Sequence, residues 1–132
     1  MAKLLDAVAI TTAGSVTSPV LSSGSGAPGS LMVQVDFVYG SGGTSGKVWL
    51  QTSIDGTSWC DIANMTFTTA SKSRIMTLSA DTPITTPYAP TDGTLADDTV
   101  KDGIIGEIYR CKYTTVGTYA ASSLSVQILA GS

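Results

Sequence analysis

The sequence predicts an all-β fold: a single-domain antiparallel β-sandwich, jelly-roll or immunoglobulin-like, with long Gly/Ser and Pro/Thr loops. Three observations predict it. Helix signals are nearly absent, and Gly, Ser and Thr are abundant. Apolar residues alternate at period two wherever they are periodic, and short apolar runs are separated by turn-forming clusters. At 132 residues the chain has the length of one ordinary domain, enough to bury a core without a disulfide or a metal.

The first element is LLDAVAI, residues 4–10, an N-terminal strand that leads into a flexible arm ending near residue 30. Residues 22–30, SSGSGAPGS, are mostly Gly and Ser with almost nothing to anchor them. The second element, LMVQVDFVY at 31–39, puts Leu31, Val33, Val35, Phe37 and Tyr39 on one face against Met32, Gln34, Asp36 and Val38 on the other, so one side covers a core. GSGGTSG at 40–46 has no apolar side chain to pack. It reads as a loop that is mobile, or held only by a neighbour, and tolerant of insertion.

KVWLQTSI at 47–54 and SWCDIANMTF at 58–67 flank Asp55-Gly56, two residues that tolerate the left-handed backbone of a tight hairpin turn. This hairpin is expected to be structural. SRIMTLS at 73–79 is a further strand. In GEIYRCKYT, 106–114, Tyr109, Cys111 and Tyr113 alternate with Ile108, Arg110 and Lys112, which predicts a buried aromatic face holding Cys111. SSLSVQILA at 122–130 alternates Leu124, Val126 and Ile128 with Ser125, Gln127 and Leu129. No internal repeat is visible.

Residues 80–103, ADTPITTPYAPTDGTLADDTVKDG, break the pattern. Three prolines restrict the backbone and exclude a strand of any length. An irregular segment of that length inside a compact domain is commonly functional, so it is the candidate partner-contact arm, with Thr82, Pro83, Thr86, Pro87, Tyr88 and Pro90 as its contact residues. The alternative is an ordered meander packed on its own sandwich.

Composition narrows the chemistry. Net charge is -3 with only seven cations, scattered along the chain, which argues against direct nucleic-acid binding. No apolar run approaches the length of a membrane span, and the first residues do not read as a signal peptide. With no histidine, Ser-His-Asp and Cys-His chemistry is excluded, and two distant cysteines make no zinc site. No catalytic, cofactor-binding or metal site is therefore expected, and the chain does not read as an enzyme. Cys60 and Cys111 are candidates either for buried thiols or for a disulfide, within the chain or between subunits. Two weaker patterns remain: Trp49 and Trp59 as a carbohydrate platform, and Asp92, Asp97, Asp98 and Asp102 as a calcium loop, although their spacing matches no EF-hand.

Three stretches carry a resemblance: LQTSIDGTSWCDIA at 50–63, DGTLADDTVKDGIIG at 92–106 and YRCKYTTVGTYA at 109–120. Over residues 30–129 the chain resembles small all-β virion structural proteins of tailed bacteriophages, of the head-decoration or neck-tail accessory type. The resemblance carries no active-site residues and implies assembly instead of chemistry. It implies a capsid decoration or cementing protein, with a neck, collar or tail-surface component as the alternative. Expected partners are the phage major capsid protein or other virion subunits, or copies of the chain itself, such as a trimer at lattice junctions. The expected location is the virion, after synthesis in the host bacterial cytoplasm. From a different class, the tryptophans suggest a carbohydrate-binding module of a host-recognition structure.

Overall fold

A computed structural model of the chain describes residues 2–10, 13–22 and 29–131. Eleven strands follow in order: β1 (Ala2–Ile10), β2 (Gly14–Thr17), β3 (Leu21–Ser22), β4 (Ser30–Val38), β5 (Ser41–Gly42), β6 (Ser45–Ser53), β7 (Cys60–Phe67), β8 (Lys72–Ser79), β9 (Ile108–Val116), β10 (Tyr119–Ala120) and β11 (Ser122–Gly131). One sheet runs β1-β11-β4-β8. The other runs β2-β9-β6-β7, with β3 also on β9, and β5 and β10 form a small pair. Every pairing is antiparallel.

The two larger sheets share one core. Leu31, Val33, Val35 and Phe37 of β4 and Leu124, Val126 and Ile128 of β11 meet Val48 and Leu50 of β6, Met65 and Phe67 of β7, and Tyr109, Cys111 and Tyr113 of β9. Period-two alternation builds this core directly, because it sends every second side chain of β4, β9 and β11 inward. At one end Phe37 stacks on Phe67 with ring centroids 4.1 Å apart, and Tyr119 packs edge-on against both.

Three expectations about loops are corrected. The Gly/Ser loop at 40–46 is packed into that aromatic cluster. A Cβ on Gly43 would overlap the Tyr119 ring and one on Gly46 the Phe67 ring, while Ser41 and Gly42 pair with β10. The glycines are there because backbone lies against ring faces, and their lack of side chains is the packing. Second, Asp55-Gly56 is not a two-residue hairpin. Six residues separate β6 from β7, and the Asp55 carboxylate accepts from the Thr57 and Ser58 N–H groups at 2.8 Å, an Asx-type turn with Gly56 at φ 80°. Those N–H groups hold the Asp55 carboxyl below the usual carboxylate range.

Third, the N-terminal arm is not free over residues 14–22. β2 and β3 pair with β9, and Ser18 fills the break before Pro19: its N–H donates to Cys111 O and its hydroxyl oxygen accepts from the Cys111 N–H. The Gly/Ser stretch expected to be flexible at 22–30 lies largely outside the described residues.

β6 and β7 differ from the other strands. Nearly all their residues are buried on both faces, including Trp49, Gln51, Asp61 and Asn64. The reason is a third layer: residues 91–101 lie across the outer face and free edge of this sheet, with Ala63 bridged to Val100 and backbone hydrogen bonds from Asn64 N to Thr99 O and from Lys101 N to Ile62 O.

Candidate contact surface

Asp61 holds that layer in place. A β-bulge between Leu50 and Gln51 leaves Ile62 as the extra residue of β7, and Asp61 falls opposite Gln51 on the outer face. Fully buried, its carboxylate accepts from the backbone N–H groups of Gly93 (2.8 and 2.9 Å), Thr94 (2.9 Å) and Leu95 (3.2 Å), from the Thr91 hydroxyl (3.0 Å) and from Gln51 Nε2 (2.8 Å). Successive N–H groups curled around one anion form a nest, with Gly93 at φ 85° supplying the left-handed residue. Sequence reasoning missed Asp61. It reads as an outward polar residue of an amphipathic strand, and only the apolar neighbours Ile62 and Ala63 hint that both faces are covered.

The proline-containing segment divides in two. Residues 91–106 are docked, which is the ordered-meander alternative for that half. Residues 81–90 are largely exposed: Thr82, Pro83, Thr86, Pro87 and Pro90 are exposed, Tyr88 is half-buried beneath the Lys101 ammonium, 4.7 Å from its ring centroid, and the Thr82 carbonyl and Ile84 side chain lie beside Gly103. Asp102 joins the segment to β8 by accepting from Ser79 N–H at 3.1 Å.

The four aspartates of the calcium pattern are parted by their partners. Asp92 binds Gln51 Nε2 (2.6 Å), Lys112 and Arg110, Asp97 pairs with Lys47 (2.9 Å), and Asp98 accepts from Thr66 N–H and hydroxyl with Lys72 at 3.7 Å. The Gln51 amide first, then Lys112 and Arg110, hold the Asp92 carboxyl below its ordinary range. Burial raises that of Asp98, but Thr66 and Lys72 outweigh it and the net direction is down. Among the described residues no group of three or more Cys, Asp or Glu is placed to hold a metal ion. Each acid straps the meander to the sheet.

The tryptophans form no platform. Trp49 is 5% exposed under the meander and donates its indole N–H to Leu95 O at 3.1 Å, while Trp59 is 9% exposed with the Arg110 guanidinium 4.4 Å over its ring. Cys60 and Cys111 are free, buried thiols. Burial pushes the Cys111 thiol up to about 12 and raises that of Cys60, which leaves both as poor nucleophiles at neutral pH.

One end of the sandwich is hollow. A cleft of about 390 Å³ opens between the 54–58 loop and the 103–106 segment, its walls including Ile54, Trp59, Pro90, Ile104 and Ile105, with Cys60 also lining it. Ile54 on its lip is 93% exposed, the most open large apolar side chain among the described residues. Among the described residues, Met32, Val38, Ile75 and Leu129 are exposed on the outer face of the β1-β11-β4-β8 sheet. No protein-family model, curated protein or solved structure matches the chain.

Proposed function

We propose that the chain is a virion structural protein of a tailed bacteriophage, a head decoration or cementing subunit that adds contact area at junctions between major capsid subunits. The reading starts from the resemblance over residues 30–129. The observation that supports it best is the build of the proline segment: an exposed Pro/Thr strip, residues 81–90, adjoins a base that a buried carboxylate and four ion pairs fasten to the sheet. A strip whose backbone is already restricted loses less entropy on docking. That suits a subunit that binds a preformed lattice.

The test is copy number. Quantitative mass spectrometry of purified particles and of tailless heads should find the chain on heads in a fixed ratio to the major capsid protein. A few copies per particle, absent from isolated heads, would transfer the proposal to the neck, collar or tail. Replacing residues 82–88 by Gly and Ser should abolish incorporation while the domain still folds. Unchanged incorporation would remove the strip from the interface.

A further inference from the structure

We infer that the free edge of β8 takes an extended segment of another protein as an added strand, and that this segment places an Asp or Glu side chain in the groove beside the edge. β8 is the last strand of its sheet, paired on one side only. The hydrogen bonds at its end show which groups face outward. Ala80 N–H donates to Gly29 O on the β4 side, whereas Ser79 N–H donates to Asp102 Oδ1 and Ser79 O accepts from Gly103 N–H on the other. In an antiparallel strand both backbone groups of a residue point to one side, and that side alternates along the chain. Ser73, Ile75 and Thr77 therefore turn theirs away from β4. Ser73 O accepts from Arg74 Nη1 at 2.8 Å, but among the described residues nothing bonds the outward N–H and C=O of Ile75 or Thr77. Such an edge is a template for strand addition.

The matching edge of the other sheet is already occupied. Residues 98–101 cover β7 through Thr99 O, Lys101 N–H and the Ala63–Val100 bridge, and the chain then crosses to Ser79, leaving the 73–77 stretch of β8 open. The groove between the two edges, about 360 Å³, is lined by Asn64, Lys72, Arg74, Met76, Asp98 and Val100 among others. A second hollow of about 420 Å³, which shares Lys72 and Arg74, extends it to the β7–β8 corner. Asn64 is 1% exposed. Its Oδ1 accepts the Asp98 N–H at 2.7 Å, which fixes the orientation of the amide and leaves Nδ2 a buried donor without a partner.

Charge selects an acid. Of the three charged residues lining the groove, Asp98 is committed to the Thr66 N–H and hydroxyl and to Lys72 at 3.7 Å, and Lys72 also donates to Thr66 O at 2.7 Å. Arg74 is exposed and gives a single hydrogen bond, to Ser73 O, so most of its guanidinium donors stay open. The acids nearby are held elsewhere, Asp36 on the opposite face of the sheet by Ser73 and Gln34, and Asp97 by Lys47. An incoming carboxylate meets a guanidinium with no counter-ion among the described residues and a buried amide donor in one groove. A second copy is disfavoured, because joining two β8 edges would set Lys72 and Arg74 of both on one face of the combined sheet. The inference does not rest on the virion reading, since binding by the purified chain and copy number on heads are separate measurements.

The experiment uses a fluorescein-labelled nine-residue peptide of alternating Thr and Val with Glu at its centre, read by anisotropy against the purified full chain. Expected is binding that weakens at least about tenfold when the glutamate becomes glutamine or lysine. Two further peptides carry N-methyl groups on alternate backbone nitrogens, in the two possible phases. One should lose binding at least about tenfold and the other keep it, because only alternate N–H groups of an added strand face β8. Arg74→Glu should turn the preference toward the lysine peptide with an unchanged urea midpoint, since that side chain is exposed. The inference is overturned if no peptide binds, if the glutamine or lysine peptide binds equally well, if the two N-methylated peptides behave alike, or if Arg74→Glu has no effect. It is overturned in favour of a second copy if sedimentation of the chain alone shows a dimer that the glutamate peptide dissociates.

Discussion

Replacing Asp61 by Ala tests whether the meander depends on one buried carboxylate. The change strips the acceptor from five donors, but they do not lose equally. Gln51 Nε2 keeps Asp92 at 2.6 Å, and Thr94 is exposed enough to bond water instead. The Gly93 and Leu95 N–H groups and the Thr91 hydroxyl are half-buried and left without a partner. A buried donor deprived of its acceptor costs about 1–3 kcal/mol, and loop relaxation recovers part of that, so the expected destabilisation is about 3–5 kcal/mol. At this chain length that is a fall in Tm of about 10–15 °C.

Asp61→Asn separates charge from shape. Both carboxylate oxygens accept backbone N–H groups, so an amide must aim its NH2 at donors in either rotamer. About half the alanine cost is expected. The assay is urea unfolding with native-state hydrogen exchange at Gly93, Thr94 and Leu95. In both variants those amides should lose protection before the core strands do. A loss below about 1 kcal/mol for Asp61→Ala with Gly93 to Leu95 still protected would refute the reasoning, since the nest would then hold without its anion.

Other predictions concern packing, thiols and pH. Gly43→Ala puts a Cβ into the Tyr119 ring at a φ of 71° and should cost about 2–4 kcal/mol by chemical denaturation; a Gly-Ser insertion after Gly42 should also destabilise. Cys111→Val should cost less than about 1.5 kcal/mol, and reductant should leave stability unchanged, because the thiol is a small core group; a reductant-sensitive Tm or multimers on non-reducing gels would contradict this. Folding raises Cys111 from 9.0 and Tyr109 from 10.0 to about 12 by burial, so the folded state holds protons the unfolded chain releases. Stability should therefore be intact below about pH 9 and fall progressively toward pH 12. Denaturation midpoints should show Cys111→Val lessening the slope between pH 9 and 10, before Tyr109 contributes.

Much of the fold was legible because it obeys the one rule that alternation encodes. β4, β9 and β11 each have one face in the core and one outside, so Val33, Val35, Cys111, Leu124 and Val126 could be placed inward from spacing alone. The rule has no symbol for a strand covered twice. Gln51, Asp61 and Asn64 read as solvent-facing, yet they are buried because a distant segment folds over them, and polarity there reports hydrogen bonding to that segment. The Gly/Ser loop misled for a related reason: the absence of a side chain looks the same in a sequence whether the backbone is free or pressed against a ring. β2 and β3 were hidden by their shortness and by the Ser18-Pro19 break between them.

The exposed strip runs directly into the end cleft and the Asp61 anchor, and that determines how a strip variant must be built. Pro90 ends the exposed strip and also lines the end cleft, and the next residue, Thr91, begins the Asp61 anchor. A deletion that includes Pro90 would open the cleft and load the anchor while shortening the strip, and loss of incorporation would then have three causes. Replacing residues 82–88 alone keeps Pro90 and the nest, and of the cleft walls it touches only Gly103, which Ile84 lies beside. Ile54→Asp changes a solvent-exposed side chain of the 54–58 loop, which shares no residue with the strip. If strip replacement blocks incorporation while Ile54→Asp permits it, the lattice reads the strip and not the 54–58 lip. If both block it, the contact with the neighbouring subunit extends from the strip to the lip, and the two variants combined should cost no more incorporation than either alone.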